Sequence, residues 1–207
     1  MKIKSVVVGP LGNNTYLASS NKGNGVLIDP GMNYSLIKDM IDGEGTQVKY
    51  ILLTHGHFDH IASALEFSKN FGAKIVINEP DAEMLSDAEK CLAHSFTRVF
   101  APFNADIIVN DGDEITLDEL TFKFVATPGH SKGSAVILCE DTMFSGDTVL
   151  EGTVGRTDLY GGSFSQMLAS IKKLSQIEKD YKLLCGHGEP STLFYEKKYN
   201  PYFIKFA

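Results

Sequence analysis

The chain has 207 residues, of which 43% are hydrophobic and 22% are charged. This balance is typical of a globular protein and excludes a chain that is disordered or fibrous overall. A chain of this length suits one domain, or one domain with a small appendage, and we predict a single domain over residues 1–207. A formal net charge of −7 argues against nucleic acid as the main partner, because proteins that bind a polyanion are normally basic.

The first half of the chain is predicted to contain short strands, turns and two helices. Strands are predicted at 6–8, 15–18, 25–28 and 50–54, the first three separated by turns rich in Gly and Asn. The apolar residues of 34–42 recur at helical spacing, which predicts a helix there. The strand at 50–54 runs directly into His55, and a second helix is predicted to begin near His60.

The second half of the chain is also predicted to contain short strands and a helix. Strands are predicted at 107–109, 115–117, 121–126, 135–139, 143–144 and 183–185. A late helix is predicted over 163–177, where the apolar residues fall on one face. The segment 86–105 is compatible with a helix or with a loop over a site. Strands in both halves, each with its own helices, predict an α/β fold of two packed sheets with helices outside.

Three cysteines, Cys91, Cys139 and Cys185, are widely spaced and form no CxxC pair. This pattern argues against a disulfide scaffold and favours a reducing compartment. The N-terminus has only a three-valine run before Gly9, too short for the apolar core of a signal peptide, and no apolar stretch approaches the ~20 residues of a membrane span. We therefore expect a cytoplasmic protein with no membrane partner, either a monomer or a small homo-oligomer.

The main chemical signal is the run from Thr54 to His60, which reads Thr-His-Gly-His-Phe-Asp-His. In extended backbone, residues i and i+2 point to the same side, so His55 and His57 can bind one ion. The chain then turns into a helix, from which Asp59 and His60 can project toward a second ion beside the first. Imidazole and carboxylate together suit Zn²⁺, Fe or Mn.

Three further polar residues extend this pattern. His130, Asp147 and His187 each stand shortly after a predicted strand, and each has a glycine beside it that permits a tight turn. The alternative, a polar loop that only happens to contain histidines, is disfavoured because these residues complete a set of metal ligands. His94 has no such context and is expected on the surface, and the three cysteines are expected in the core.

With these residues, the sequence resembles the metallo-β-lactamase-fold superfamily over nearly its whole length. Its motifs occur here in the family order: the His-x-His-x-Asp-His run, His130, Asp147, Gly155-Arg156 and His187. The resemblance implies a four-layer αββα sandwich with the site at one edge between the sheets. It implies a first metal held by His55, His57 and His130, a second held by Asp59, His60 and His187, and Asp147 bridging both.

The branch that the chain resembles most is the short form of the glyoxalase II-like hydrolases, which lacks the C-terminal helical domain that helps to hold glutathione. The matching motifs are Gly146-Asp147-Thr148, the run from Gly155 to Leu159 and Gly186-His187-Gly188-Glu189. Class B β-lactamases with two zincs usually lack a His at the position of His60 or have Cys at that of Asp147. Flavodiiron proteins have Glu at the position of His57, and RNA-processing members carry a large inserted domain.

The resemblance implies hydrolysis of a small-molecule thioester such as S-lactoylglutathione by a hydroxide that bridges two divalent metal ions. Zn²⁺ is expected, with Fe or Mn as alternatives, and water on such ions titrates near pH ~7. Asp59 is the candidate catalytic residue, because it can orient the nucleophile or accept its proton. Arg156 is a candidate for holding a substrate carboxylate or, equally, for bracing its own loop through Asp158. Tyr160 is a second candidate for substrate binding.

Other functions remain open from the sequence. A lactonase or ester hydrolase would use the same two metals. A persulfide dioxygenase would use one iron, held by His55, His130 and Asp147, although seven filled ligand positions favour two metals. A binding module without activity is disfavoured, because relics of this fold usually lose ligands.

Overall fold

The computed structural model describes residues 1–206 and consists of β-strands, α-helices and short 3₁₀ segments. The strands are β1 (Lys2–Val8), β2 (Asn13–Ser19), β3 (Asn24–Ile28), β4 (Gln47–Leu53), β5 (Lys74–Asn78), β6 (Ile107–Val109), β7 (Glu114–Leu117), β8 (Leu120–Ala126), β9 (Ala135–Cys139), β10 (Thr142–Gly146), β11 (Val149–Leu150), β12 (Thr153–Val154), β13 (Lys182–Cys185) and β14 (Ser191–Thr192). The helices are α1 (Tyr34–Glu44), α2 (Phe58–Ile61), α3 (Ala64–Phe71), α4 (Phe164–Ser175), α5 (Leu193–Tyr199) and α6 (Pro201–Phe206), with 3₁₀ segments at Glu79–Ser86 and Ala93–Ser95.

Two mixed six-stranded sheets form the centre of the fold. The first has the strand order β1-β2-β3-β4-β5-β6, and the second has the order β14-β13-β10-β9-β8-β7. In the first sheet β3 to β6 are parallel, whereas β1, β2 and β3 are antiparallel. In the second sheet only β10 and β13 are parallel. The strands β11 and β12 form a separate small hairpin.

Three apolar clusters give the order of the layers. Alternate residues of a strand point to opposite faces of its sheet, so Tyr16 and Ala18 of β2 join Phe122 and Phe144 of the second sheet in a core between the sheets. Leu17 faces the other way, into a cluster that packs the first sheet against α1 and α3. The second sheet packs its outer face against α4. The predicted four-layer αββα sandwich is therefore confirmed.

The ends of the helices follow from local chemistry. The side chain of Asn33 accepts a hydrogen bond from the Leu36 amide at the start of α1, and Gly45 ends this helix with a φ of 63°. The side chain of Ser163 accepts from the Gln166 amide at the start of α4. Both residues satisfy backbone amides that the first turn of a helix leaves without partners.

Some elements differ from the sequence-based expectations. The helix predicted near His60 begins at Phe58 and is divided into α2 and α3. Strand β5 and the two C-terminal helices, α5 and α6, were not predicted. Segment 86–105 is mostly loop with a single 3₁₀ turn. No helix within residues 1–206 combines the length and the apolar character that crossing a membrane requires.

Candidate metal centre

The seven predicted ligands are brought together at one edge of the two sheets. His55 and His57 follow β4, while Asp59 and His60 belong to the short helix α2. The second sheet contributes the remaining three: His130 follows β8, Asp147 follows β10 and His187 follows β13. Each sheet therefore supplies part of the cluster from the ends of its strands.

The first group consists of His55, His57 and His130, all buried, with one ring nitrogen from each within 4.8 Å of the others. His57 Nδ1 lies 2.8 Å from His130 Nε2. Burial and the neighbouring His130 lower the pKa of His57 to about 3, and burial lowers the pKa of His55 as well. The imidazoles of His55 and His57 are consequently neutral, which is the form that binds a metal.

The second group consists of Asp59, His60 and His187. His187 Nε2 lies 3.2 Å from Asp59 Oδ2 and 3.2 Å from His60 Nε2. Burial opposes a charged His60, but the carboxylates of Asp59, Asp147 and Asp29 outweigh it and raise the pKa to about 10. The concentration of negative charge around this group favours a cation.

Asp147 lies between the two groups. Its Oδ2 is 3.5 Å from Nε2 of His130 in the first group and 3.6 Å from Nε2 of His187 in the second. Its Oδ1 is 3.5 Å from Nε2 of His60. The carboxylate thus faces both groups, as a shared ligand would.

The outer ring nitrogens have partners that fix the orientation of the rings. His130 Nδ1 lies 2.7 Å from the carbonyl oxygen of Arg156, and His187 Nδ1 lies 3.1 Å from that of Leu11. His60 Nδ1 lies 3.0 Å from a carboxylate oxygen of Asp29. Such contacts hold the opposite nitrogen of each ring toward the centre, the arrangement that metal-binding histidines usually have.

Several atoms at the centre have no hydrogen-bond partner among the described residues. They are His55 Nε2, His57 Nε2 and Asp147 Oδ1, all of them buried. Buried polar atoms normally have a partner because leaving them unpaired is costly. These partnerless atoms, together with a donor set of imidazoles and carboxylates, fit divalent metal ions.

Two buried carboxylates that sequence reasoning missed support the cluster. Asp29 follows β3, accepts hydrogen bonds from the amide and hydroxyl of Thr54 and contacts His60. Asp81 accepts hydrogen bonds from the Gly56 amide at 2.9 Å, the Gly133 amide at 2.6 Å and the Ser131 hydroxyl at 2.6 Å. In the sequence, Asp29 stands at the end of a predicted strand. The Pro30-Gly31 pair that follows it indicates a turn, so Asp29 was assigned to that turn and not to the site.

Gly186 has no room for a side chain beside the cluster. A methyl group built on it overlaps Asp147 Oδ1 and lies 2.7 Å from His60 Cε1. We expect Gly186→Ala to displace these ligands and to lower the metal content of the purified protein, measured by elemental analysis, by at least half. Gly43 in α1 meets no atom within 4 Å, so Gly43→Ala is the matched control and should leave the metal content unchanged. Equal metal contents in the two variants would contradict this expectation.

A cleft of about 500 Å³ opens above the cluster. His57, Asp59, His130, Asp147 and His187 lie in its floor. Segment 86–105 forms part of the wall of this cleft through Leu92, Ser95 and Phe96. Of the two predicted alternatives for this segment, the structure agrees with a loop over a site. The volume lies in the range of small-molecule sites.

The two predicted substrate-binding residues have different positions. Arg156 lines the cleft, but Nε and one terminal nitrogen of its guanidinium each donate to a carboxylate oxygen of Asp158 at 2.7 Å. Tyr160 does not line the cleft; its hydroxyl donates to Glu83 at 2.7 Å, and the neighbouring Leu159 forms the wall instead. His94 is exposed and the three cysteines are buried and free, as expected.

A His/Asp cluster at the edge of a two-sheet αββα sandwich defines a metal-binding class of α/β protein. A family model described as the metallo-beta-lactamase superfamily matches residues 8–187, and the chain belongs to this superfamily. Among curated relatives, Probable metallo-hydrolase YqgX of Bacillus subtilis is 30% identical over 100% of both chains. Hydroxyacylglutathione hydrolase GloC of Haemophilus influenzae is 29% identical over 98% of both chains.

Solved structures agree with this assignment. BLEG-1, described as a B3 metallo-beta-lactamase, superposes with a TM-score of 0.91 at 29% identity, covering 98% of this chain and 99% of its own. TTHA1623 in a di-iron-bound form has a TM-score of 0.85 at 29% identity, covering 96% of this chain and 99% of its own. ETHE1 from Myxococcus xanthus has a TM-score of 0.79 at 25% identity, covering 99% and 88%. The predicted superfamily is confirmed, the short glyoxalase II-like branch fits, and a family of metallo-hydrolases supports an enzyme.

Proposed function

We propose that the protein is a dinuclear metal-dependent hydrolase that cleaves thioesters of the S-lactoylglutathione type. The observation that carries the proposal is the pair of three-ligand groups with Asp147 between them. The relative named hydroxyacylglutathione hydrolase supports the choice of a thioester. Divalent ions bound at such a centre supply an activated water at neutral pH and a Lewis acid for the carbonyl oxygen. The donor set suits Zn²⁺, which we propose as the native metal, and the likeness to a di-iron-bound structure makes iron the alternative.

The residues of the cleft have distinct roles in this reaction. Asp59 lies in the floor beside His187. Burial opposes the ionisation of Asp59, but His60 and His187 outweigh it and hold its pKa below the usual range. The carboxylate is therefore ionised at working pH and can orient the attacking water or accept its proton. We place Asp59 as the catalytic residue on this ground.

We also propose the partners, the compartment and the oligomeric state of the enzyme. A small-molecule substrate fits a cleft of this size, and the net charge of −7 disfavours nucleic acid. Buried, free cysteines favour the reducing cytoplasm. We propose a monomer or small homo-oligomer that acts without a membrane partner.

Metal content and hydrolysis together test the proposal. We expect close to two transition-metal ions per chain after reconstitution, and slow to moderate hydrolysis of S-lactoylglutathione that is lost when a chelator removes the metal and returns when zinc is added back. Less than one ion per chain after reconstitution would contradict the dinuclear centre.

The substrate screen separates the competing functions. It should contain S-lactoylglutathione, simple acyl thioesters, a lactone and a β-lactam, all assayed on protein of known metal content. Hydrolysis of the lactone alone would assign the lactonase activity. Oxygen uptake with glutathione persulfide, on protein that holds one iron, would assign the dioxygenase.

A further inference from the structure

We propose that the cleft selects thioesters with an apolar, uncharged acyl group of medium length. This inference rests on the proposed function and concerns which substrate the same site prefers. Six apolar side chains form most of the wall above the cluster: Leu11, Leu92, Phe96, Leu150, Val154 and Leu159. Apart from the residues of the cluster and Gly155, only Ser95 and Arg156 complete the lining that residues 1–206 provide.

The apolar walls come from three separate parts of the chain that surround the cluster. Leu11 lies in the turn between β1 and β2, and its carbonyl oxygen contacts the ring of His187. Leu150 and Val154 belong to the β11–β12 hairpin, which follows Asp147 directly. Phe96 stacks on Phe58 of α2, with ring centroids 5.9 Å apart. An acyl chain attached to a carbonyl at the cluster would therefore lie against these side chains.

Two of the wall residues, Leu11 and Leu92, have an exposure or a backbone conformation that does not stabilise the folded protein. Leu11 is 55% exposed, so its side chain gains little from the hydrophobic core. Leu92 has a φ of 67°, a left-handed conformation that costs energy for a residue with a branched, bulky side chain. Both features place leucine side chains on the cleft, where an apolar ligand would cover them.

Among the described residues, the wall of the cleft offers an anionic substrate no cationic side chain that is free of an ion pair. Arg156 is the only Lys or Arg that lines it among the described residues, and its guanidinium is paired through two nitrogens with Asp158. The nearby Lys132 is directed to Glu83 and Tyr160, outside the lining. A glutathione conjugate carries two carboxylates, and each would have to compete with Asp158 for the one guanidinium.

The first test uses thioesters of one small uncharged thiol, N-acetylcysteamine, with acetyl, butyryl, hexanoyl and octanoyl groups. Each buried methylene should raise kcat/KM roughly two- to fourfold, mainly through KM, until the chain leaves the cleft. We expect the octanoyl ester to exceed the acetyl ester by at least tenfold and to have a lower KM than S-lactoylglutathione. A flat series, with S-lactoylglutathione hydrolysed at a lower KM, would overturn the inference and leave the proposed function intact. Absence of hydrolysis of every thioester would overturn both.

Two variants test the wall directly. Leu11→Ala removes an exposed side chain while it keeps the carbonyl that contacts His187, so it should fold normally and reduce the ratio of octanoyl to acetyl activity by about threefold or more. Ile204, 64% exposed on α6, lies outside the lining, and Ile204→Ala is the matched control with an unchanged ratio. The same ratio in both variants would overturn the assignment of Leu11 to the acyl site.

The charged pair gives an independent test. Asp158→Asn leaves the Arg156 guanidinium without its ionic partner and should lower the KM for S-lactoylglutathione while the KM for the octanoyl ester stays the same. Arg156→Ala should change neither KM by more than about twofold. If Arg156→Ala instead raised the KM for S-lactoylglutathione roughly ten- to hundredfold, the loss expected for a charged hydrogen bond, the cleft would be an anion site and the inference would be wrong.

Discussion

Replacement of Asp147 by Ala is expected to reduce thioester hydrolysis by at least about a hundredfold, the largest loss among the seven cluster residues. Its carboxylate faces His130 of the first group and both His60 and His187 of the second, so both groups would lose a predicted ligand at once. Changes beside a metal site that remove no ligand already cost ~10–100-fold in affinity or activity. The measurements are kcat/KM for a thioester and metal ions per chain.

Two companion variants show whether the effect is specific. Asp147→Asn keeps the size of the side chain but removes the negative charge that would screen the two proposed cations from each other, and it should also lose metal. His94→Ala changes an exposed histidine outside the cluster and should keep full activity and metal content. An Asp147→Ala protein with near-normal activity would show that this carboxylate is not shared.

Asp81→Ala is expected to lower the free energy of unfolding by about 3 kcal/mol. The substitution leaves the buried amides of Gly56 and Gly133 without their acceptor, and each unpaired buried donor costs ~1–3 kcal/mol. For a chain of this length, that loss corresponds to a fall of ~6–12 °C in Tm. Urea unfolding in the presence of a chelator measures the effect without a contribution from bound metal.

A second readout comes from the position of Asp81 between two ligand loops. Gly56 stands between His55 and His57, and Ser131, also bonded to Asp81, follows His130. We therefore expect Asp81→Ala to weaken metal binding about 10–100-fold as well. Asp81→Asn keeps one oxygen acceptor and should show smaller losses in both measurements. Unchanged stability in Asp81→Ala would contradict the expected role of its hydrogen bonds.

The sequence predicted the fold class from local strand and helix signals, and it indicated the candidate site through the resemblance of its motifs to a known superfamily. The strand at 50–54 is a compact apolar run, and His55 and His57 follow it at the spacing that one side of an extended chain requires. His130, Asp147 and His187 also follow strands, but their convergence depends on the order of strands in the second sheet. Their ligand roles stay predictions that the metal measurements above test.

The parts that sequence reasoning missed depend on distant contacts or on weak periodicity. Asp81 has its role because Gly56 and Gly133, from distant loops, both donate to it, and no spacing in the sequence indicates this. Helix α5 was missed because Phe194, Tyr195 and Tyr199 are all about half exposed, which removes the apolar stripe of an ordinary surface helix. Tyr160 was a candidate for substrate binding, but it lies outside the lining of the cleft and its hydroxyl donates to Glu83.

The residues of the cluster are divided between the two sheets and lie far apart in the sequence. His57 and His130 are 73 positions apart in the chain, and His60 and His187 are 127 apart. Contacts between such distant positions form slowly because closing the long intervening loop costs entropy. A growing polypeptide therefore cannot complete either three-ligand group before both sheets have packed, and the second group must wait until residue 187 has left the ribosome. Metal binding should therefore follow the docking of the two sheets, and its rate in a refolding experiment should report that docking step.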